Sequence, residues 1–416
     1  MVIPLWRNYM GISRRNFVQI SSALVAATVL SQAVLAAENT IKFGSVLDTS
    51  GGFAAYGKPM DMAMRLAVKK INSEGGLLGK QLEVVAYDTQ SDMSLYSQYG
   101  QQLTRVDKVD VVHGGILSAS REAIRQTMHK TKTPYFYNVL YEGGVCDRNI
   151  FINGVTPSQQ AEVLVPYAMS QSGKNVYVLA ADYNYGHITA RWIEKFVKEN
   201  GGEVVGLDFF PLDVADFGST IAKIQAVGPD LVIAPLVGAA HLSFFRQWAA
   251  SGMKDKIPLA STTLGVGNEH KVLTPEEGNG IIVAYNYSQE LDTPLNKAFK
   301  QDWADTYGDS NAIHEIAVSN YQGVLTWAEG VKKAGSLDQD ALISALESGI
   351  SIIGPSGKVS VDAQTHHAVL DVHLMVLDNQ KMRVIKSMSE LQPADTQAVC
   401  NLQTNPEDNQ QYELGL

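Results

Sequence analysis

Little in this chain commits it to a chemistry. G-x-S-x-G, G-x-x-x-x-G-K-[ST], H-E-x-x-H and C-x-x-C are all missing, so the local signatures of hydrolases, P-loop enzymes, zinc peptidases and dithiol redox proteins are absent. Gly265-Val-Gly267-Asn-Glu-His lacks the third glycine of a dinucleotide fingerprint. His366 and His367 are adjacent, and in an extended segment they point to opposite faces, which makes a poor metal pair. No catalytic residue, metal or cofactor is expected. Basic residues are also short: 33 Lys and Arg stand against 43 Asp and Glu, for a formal net charge of -10. That balance argues against nucleic acid and anionic lipid as partners.

A long unbroken apolar run is missing too. The uncharged stretch from Val18 to Ala37 is interrupted by Gln19, Ser21, Ser22, Ser31 and Gln32, so it falls short of the roughly 20 apolar residues of a spanning helix, and a membrane-embedded chain is not expected. Arg7, Arg14 and Arg15 are the only charges before Glu38. Basic residues, then a modest apolar stretch, then small residues at Val34 and Ala36 read as a signal peptide over residues 1–37. Ser13-Arg14-Arg15-Asn16-Phe17-Val18 matches the twin-arginine pattern, with an ordinary secretory signal carrying two arginines by chance as the other reading. Cleavage removes three arginines and no acid, which moves the formal charge from -10 to -13. The expected compartment is the periplasm. There, Cys146 and Cys400 form one disulfide in the simplest reading, tying the carboxyl tail to a loop of the first half; two buried or reactive thiols are the alternative.

What is present is a repeated α/β grammar. From residue 38 short β-branched runs alternate with helical patterns, the signature of βαβ units and a parallel sheet. Ile41 to Leu47 reads as a strand, and Met60, Ala63, Met64, Ala67 and Ile71 recur at helical spacing before Asn72-Ser-Glu-Gly-Gly76. Strands follow at Leu82 to Tyr87, Val109 to His113 and Tyr135 to Asn138, and again at Asn175 to Ala180, Glu203 to Leu207 and Asp230 to Ala234. Ile71-Asn-Ser-Glu-Gly-Gly with its later Val109-Asp-Val-Val resembles Lys198-Glu-Asn-Gly-Gly with its later Pro229-Asp-Leu-Val-Ile. Two similar lobes in tandem are expected. Helices from Pro294 to Tyr307 and along Ile313, Ile316, Ala317, Tyr321, Val324, Ala328 and Val331 come next, then an extended segment from Lys358 to Ile385 and a polar tail.

Ligands of open α/β sheets bind beyond the carboxyl ends of the strands, where helix amino termini converge. Gly114-Gly-Ile-Leu-Ser118-Ala-Ser120 ends a strand in glycines and opens a helix on serine, so Ser118 and Ser120 are candidates to hold a ligand oxygen, or else simple helix caps. Tyr137 and Tyr141 follow the next strand. Asp182-Tyr183-Asn184-Tyr185-Gly186 offers a paired aromatic clamp, although loop tyrosines are often only half-buried packing. Pro235-Leu-Val-Gly238 and Thr262-Thr263 are weaker candidates at later strand ends.

Taken together, Ile41-Lys-Phe-Gly-Ser-Val, the Gly57 helix, Ile71-Asn-Ser-Glu-Gly-Gly and the Asp88 strand end make the chain resemble type I periplasmic binding proteins of the branched-chain amino acid group. Tyr141-Glu142-Gly143 to Asn149-Ile150 and Pro157-Ser158-Gln159-Gln160 are similar to the urea and short-chain amide binders within it. The resemblance implies two Rossmann-like, doubly wound lobes joined by three crossovers that close by a hinge. Lobe 1 would comprise residues 38–156 plus 287–362, lobe 2 residues 157–286 plus 363–390, and the tail residues 391–416. It further implies that Ser118, Ser120, Tyr137, Tyr183, Tyr185 and Gly238 contact a small polar ligand of amino acid, amide or urea type, delivered by a monomer to the membrane permease of an ABC importer. A ligand sensor for a membrane receptor is the alternative function, and an exported amide hydrolase a weaker one. Val139 and Leu140 depart from the threonine and proline common at these positions in relatives, which removes a ligand hydrogen bond and opens the site to a larger or more apolar solute.

Overall fold

The structure, a computed structural model, describes Met1 and residues 40–309 and 312–413. The export signal expected over residues 1–37 falls, Met1 aside, outside the described residues. The first lobe is a parallel sheet in the order Gln81–Asp88, Thr40–Leu47, Val111–Gly114, Tyr135–Tyr137, Ile150–Ile152. Its central strands are apolar on both faces, with Ile41, Phe43, Val46, Val111, Val112, Phe136 and Phe151 all buried, because helices cover both sides of a parallel sheet. One cover is the helix Glu315–Ala334, which packs along the helix Ala54–Ser73 and is buried almost throughout.

The second lobe contains a nine-stranded sheet. Glu203–Phe210, Asn175–Ala181, Leu231–Ile233, Leu259–Ala260 and Ile282–Tyr285 run parallel, as the alternating pattern predicts. Beyond Ile282–Tyr285 the sheet turns antiparallel. The segment expected to be extended from Lys358 to Ile385 forms Gly357–Val361, Ala368–Asp378 and Lys381–Leu391, the last two as a long hairpin. Ser351–Gly354 pairs with Gly357–Val361 at the edge. The sequence assigns these two edge strands to lobe 1, whereas hydrogen bonding joins them to the second sheet. The same hairpin is also held from the first lobe, where Gln322 donates to Ser356 Oγ at 2.8 Å and accepts from Ser356 N at 3.0 Å. Ladder partners on one side and packing on the other make its allegiance invisible to periodicity.

Amides and hydroxyls stitch the crossovers together. Asn153 donates to Asn138 at 2.8 Å, Asn138 donates to Asn320 of the helix Glu315–Ala334 at 2.7 Å, and Asn286 donates to Ser319 on that helix at 3.1 Å. At the start of the helix Pro157–Ser172, Gln159 donates to the carbonyls of Ala368 and Leu391, and Gln160 to those of Thr262 and Ala284. Each bond gives a main-chain carbonyl in or beside a strand a side-chain partner.

The tail is more than a surface strand of chain. Asn409–Gln411 pairs antiparallel with Val145–Asp147, and Cys146 is bonded to Cys400, with Cα atoms 5.5 Å apart and 254 residues between them in sequence. Cross-linking so long a loop removes much denatured-state entropy. The double substitution Cys146→Ser, Cys400→Ser is therefore expected to lower unfolding stability by about 2–5 kcal/mol. Urea unfolding followed by tryptophan fluorescence measures it, and coincident midpoints for the two proteins would show that the tail is tied down by its other contacts.

Candidate functional site

A cleft lies between the lobes, at the carboxyl ends of the strands. On the first-lobe side the chain leaves Val111–Gly114 through two glycines. A Cβ on Gly114 would sit 2.1 Å from the carbonyl oxygen of Val46, so only glycine lets the chain turn this close to the neighbouring strand. The turn delivers Ile116, Leu117 and Ser118 to the cleft wall. Ser118 Oγ donates to Glu142 Oε2 at 2.7 Å.

Glu142 is the floor beneath this wall. It and Arg121 are paired at 2.8 Å with both side chains 0% exposed, and the guanidinium carbon lies 5.3 Å from the Tyr137 ring centre and 4.8 Å from that of Tyr141. Burial by itself would raise the Glu142 pKa; the facing Arg121 charge and the hydrogen bonds from Arg121, Ser118 and Gln411 outweigh it and hold the carboxyl below its ordinary value. Tyr137, at the end of its strand, donates to the carbonyl of Ile116 at 2.7 Å, which fixes its ring as a second part of the wall.

The second lobe supplies the opposite wall. Its first strand, Asn175–Ala181, ends in the loop that opens the helix Asn184–Glu199, with Tyr183 at the N-cap. Tyr183 and Tyr185 lie side by side with ring centres 6.1 Å apart, and Tyr185 shares a 2.9 Å hydrogen bond with Thr262. Val237, Thr263 and Val266 complete this side. Among the contacts that join the lobes, two lie beside the cleft. Trp192 Nε1 donates to the carbonyl of Glu142 at 3.2 Å, and the Tyr56 hydroxyl donates to Glu269, whose other oxygen accepts from Gly265 N at 2.9 Å and Gly267 N at 3.0 Å.

Of the residues singled out in the sequence, Ser118, Tyr137, Tyr183 and Tyr185 meet on the cleft wall. Ser120 and Gly238 do not. Ser120 Oγ accepts from Ile116 N at 3.0 Å and donates to the carbonyl of Leu117 at 2.7 Å, so it caps its own turn. Gly238 adopts φ 75° at the N-cap of the helix Ala239–Ala250, with Leu212 O where a Cβ would stand, and shapes the loop that presents Val237. Phe53, Tyr56, Val266 and Ile316 line the cleft without having been singled out for it. Tyr56 directly precedes the Gly57 of the amino-terminal signature, the one local hint; Ile316 reads in sequence only as part of a core stripe.

Next to Ile316, Glu315 Oε1 accepts from Ser319 Oγ at 3.1 Å, while Oε2 is buried without a hydrogen-bond partner among the described residues. Burial pushes its pKa from 4.5 up to about 8. Between those two values the folded chain keeps a proton that the unfolded chain has released, so stability is full below the lower one and falls as pH rises through the window. Glu315→Gln is expected to raise the thermal midpoint at pH 8 and leave it nearly unchanged at pH 5, read by circular dichroism melts. Equal shifts at both pH values would show that Glu315 is not protonated in the fold.

Comparison with known proteins agrees with this geometry. A Leu/Ile/Val-binding protein homolog of Brucella melitensis is 23% identical over 374 residues, covering 83% of this chain and 91% of its own. The solute-binding protein of an ABC transporter from Rhodopseudomonas palustris, solved with 3,4-dihydroxybenzoic acid, superposes with a TM-score of 0.77 at 23% identity over 85% of this chain and 99% of its own. The branched-chain amino acid binding protein LivJ of Streptococcus pneumoniae, solved with isoleucine, gives 0.73 at 24% identity, covering 83% of this chain and 99% of its own. Residues 40–381 match the family model for periplasmic binding proteins. With two α/β lobes, three crossovers and a cleft at the strand ends, the chain belongs to the periplasmic binding protein family, whose members capture solutes and do not transform them.

Proposed function

We propose that this protein is the solute-binding component of an ABC importer, closing by its hinge over a compact solute with an apolar body about the size of a ring, and presenting the closed form to the membrane permease. One observation carries the solute class. No acidic or basic side chain is among the residues lining the cleft, and aromatic and aliphatic groups make up most of it. A cleft of this composition suits a small apolar-bodied ligand with few polar groups. Urea would leave the apolar walls unfilled, and a zwitterion would bring an ammonium to a wall with no carboxylate on it. The relative solved with 3,4-dihydroxybenzoic acid holds a ring-sized acid with an apolar body, which supports this reading. The contacts from Tyr56 to Glu269 and from Trp192 to Glu142 support hinge closure, since both join one lobe to the other.

Titration calorimetry of the mature chain over aromatic acids, aliphatic amino acids, short amides and urea tests the proposal. Ring-sized acids are expected to bind and urea to give no heat; urea as the tightest ligand, or no ligand at all, would sink it. With any ligand that binds, Tyr183→Ala is expected to weaken affinity by about 1–3 kcal/mol through lost stacking and hydroxyl contact. Unchanged affinity would remove Tyr183 from the clamp.

We also propose export by the twin-arginine route, on the strength of Ser13-Arg14-Arg15-Asn16-Phe17-Val18. Arg14→Lys with Arg15→Lys is then expected to leave the precursor in the cytoplasm in a fractionation assay. Undiminished periplasmic protein would assign the leader to the general secretory route instead.

A further inference from the structure

A hydroxyl has one hydrogen to give, and on this cleft wall most are already given. Ser118 donates to the Glu142 carboxylate at 2.7 Å, Tyr137 to the carbonyl of Ile116 at 2.7 Å and Thr263 to the carbonyl of Leu236 at 2.6 Å. Tyr56 is turned to Glu269 in the same way. Carbonyl oxygens and an ionised carboxylate have no hydrogen to return, so the direction of the first three bonds is dictated by their partners. Arg121 keeps Glu142 ionised from below. What the hydroxyls of Ser118, Tyr137 and Thr263 can still offer a ligand is the remaining lone pairs on each oxygen.

We infer that the cleft recognises its solute chiefly as a hydrogen-bond donor, through a hydroxyl or amide N–H group carried on the apolar body. The inference rests on the cleft being the capture site, and it narrows the class of solute. A bare carboxylate, ketone, ether or ester turned toward the hydroxyls of Ser118 and Tyr137 meets lone pairs, with the Glu142 charge close behind Ser118, and finds donors there only in the first-turn amides of the helix Ser118–Thr131. A phenol, alcohol or primary amide turned the same way is matched. Tyr183 and Tyr185 are the exceptions: the Tyr183 hydroxyl makes no hydrogen bond among the described residues and the Tyr185–Thr262 bond can run either way, so the second lobe can supply donors to an acceptor at the other end of the solute. The solute that satisfies both walls has a donor at one end and an acceptor at the other.

Near-isosteric pairs test this on the intact mature protein. 4-Hydroxybenzoate against 4-fluorobenzoate, and benzamide against acetophenone, each delete a donor while keeping the ring and the size. The donor-bearing member of a pair is expected to bind at least about tenfold more tightly by calorimetry. In Ser118→Ala or Tyr137→Phe the ratio is expected to shrink, because the accepting oxygen is gone; if neither variant folds, the wild-type ratios decide alone. Equal affinity within a pair, or tighter binding of the member lacking the donor, would overturn the inference and leave solute capture standing. Binding by no member of either pair would overturn the reading of the cleft as a site for ring-sized solutes, and this inference with it.

Discussion

The buried pair of Arg121 and Glu142 is the contact on which the rest of the site depends. Taking two charges out of water costs several kcal/mol for each ion, and only close pairing with further hydrogen bonds offsets that cost. Here the offset comes from every direction. Ser118 donates to the carboxylate from the cleft, Gln411 donates to it at 2.6 Å from the tail, and Tyr137 and Tyr141 hold their rings against the guanidinium. Arg121 also meets Glu122 at 3.1 Å; Glu122 binds Arg125 at 2.6 Å, and Arg125 reaches Asp147 at 3.2 Å, next to the bonded Cys146. One charge network thus runs from the ligand wall to the anchor of the carboxyl tail.

That arrangement explains why a polar tail is folded onto the first lobe at all. The strand Asn409–Gln411 buries no large apolar side chain, yet it carries Gln411 to Glu142 and Asn409 to Arg125, closing the network on its open side. The same pair shapes the chemistry of the cleft. By accepting the Ser118 hydrogen, Glu142 leaves that oxygen able only to accept, and it neutralises the Arg121 charge behind the wall. The walls are then aromatic and aliphatic surface with hydroxyl oxygens set into it.

Much of the fold is legible in the sequence because its signals are local. Alternating strand and helix periods mark two α/β lobes, and the glycines after Val111–His113 mark a strand end where a helix begins. Placement makes Ser118, Tyr137, Tyr183 and Tyr185 candidates, since a loop after a parallel strand has only one end of the sheet to occupy, and the family resemblance selects them from among caps and packing residues. Ser120 lies one short step from Ser118 in the same loop and shows the limit of the argument: which of two serines faces the ligand depends on a turn that either one could cap. The edge hairpin near Ser351–Val361 shows another, because pairing with Ala368–Asp378 involves strands whose own periodicity is indifferent to which lobe they join.

The sequence by itself determined the two tandem lobes, the end of each sheet at which ligands of such folds lie, and the strand-end loops from which the cleft wall is drawn. All of these depend on periodicity and chain order. Only the tertiary structure decided that Phe53, Tyr56 and Ile316 join that wall and that Glu142 rather than a ligand takes the Ser118 hydrogen. Those outcomes are set by which groups lack a partner once the lobes have come together. A buried charge or hydroxyl takes the nearest group that can satisfy it, and nearness across lobes is a property of the folded chain, written at no single position along it.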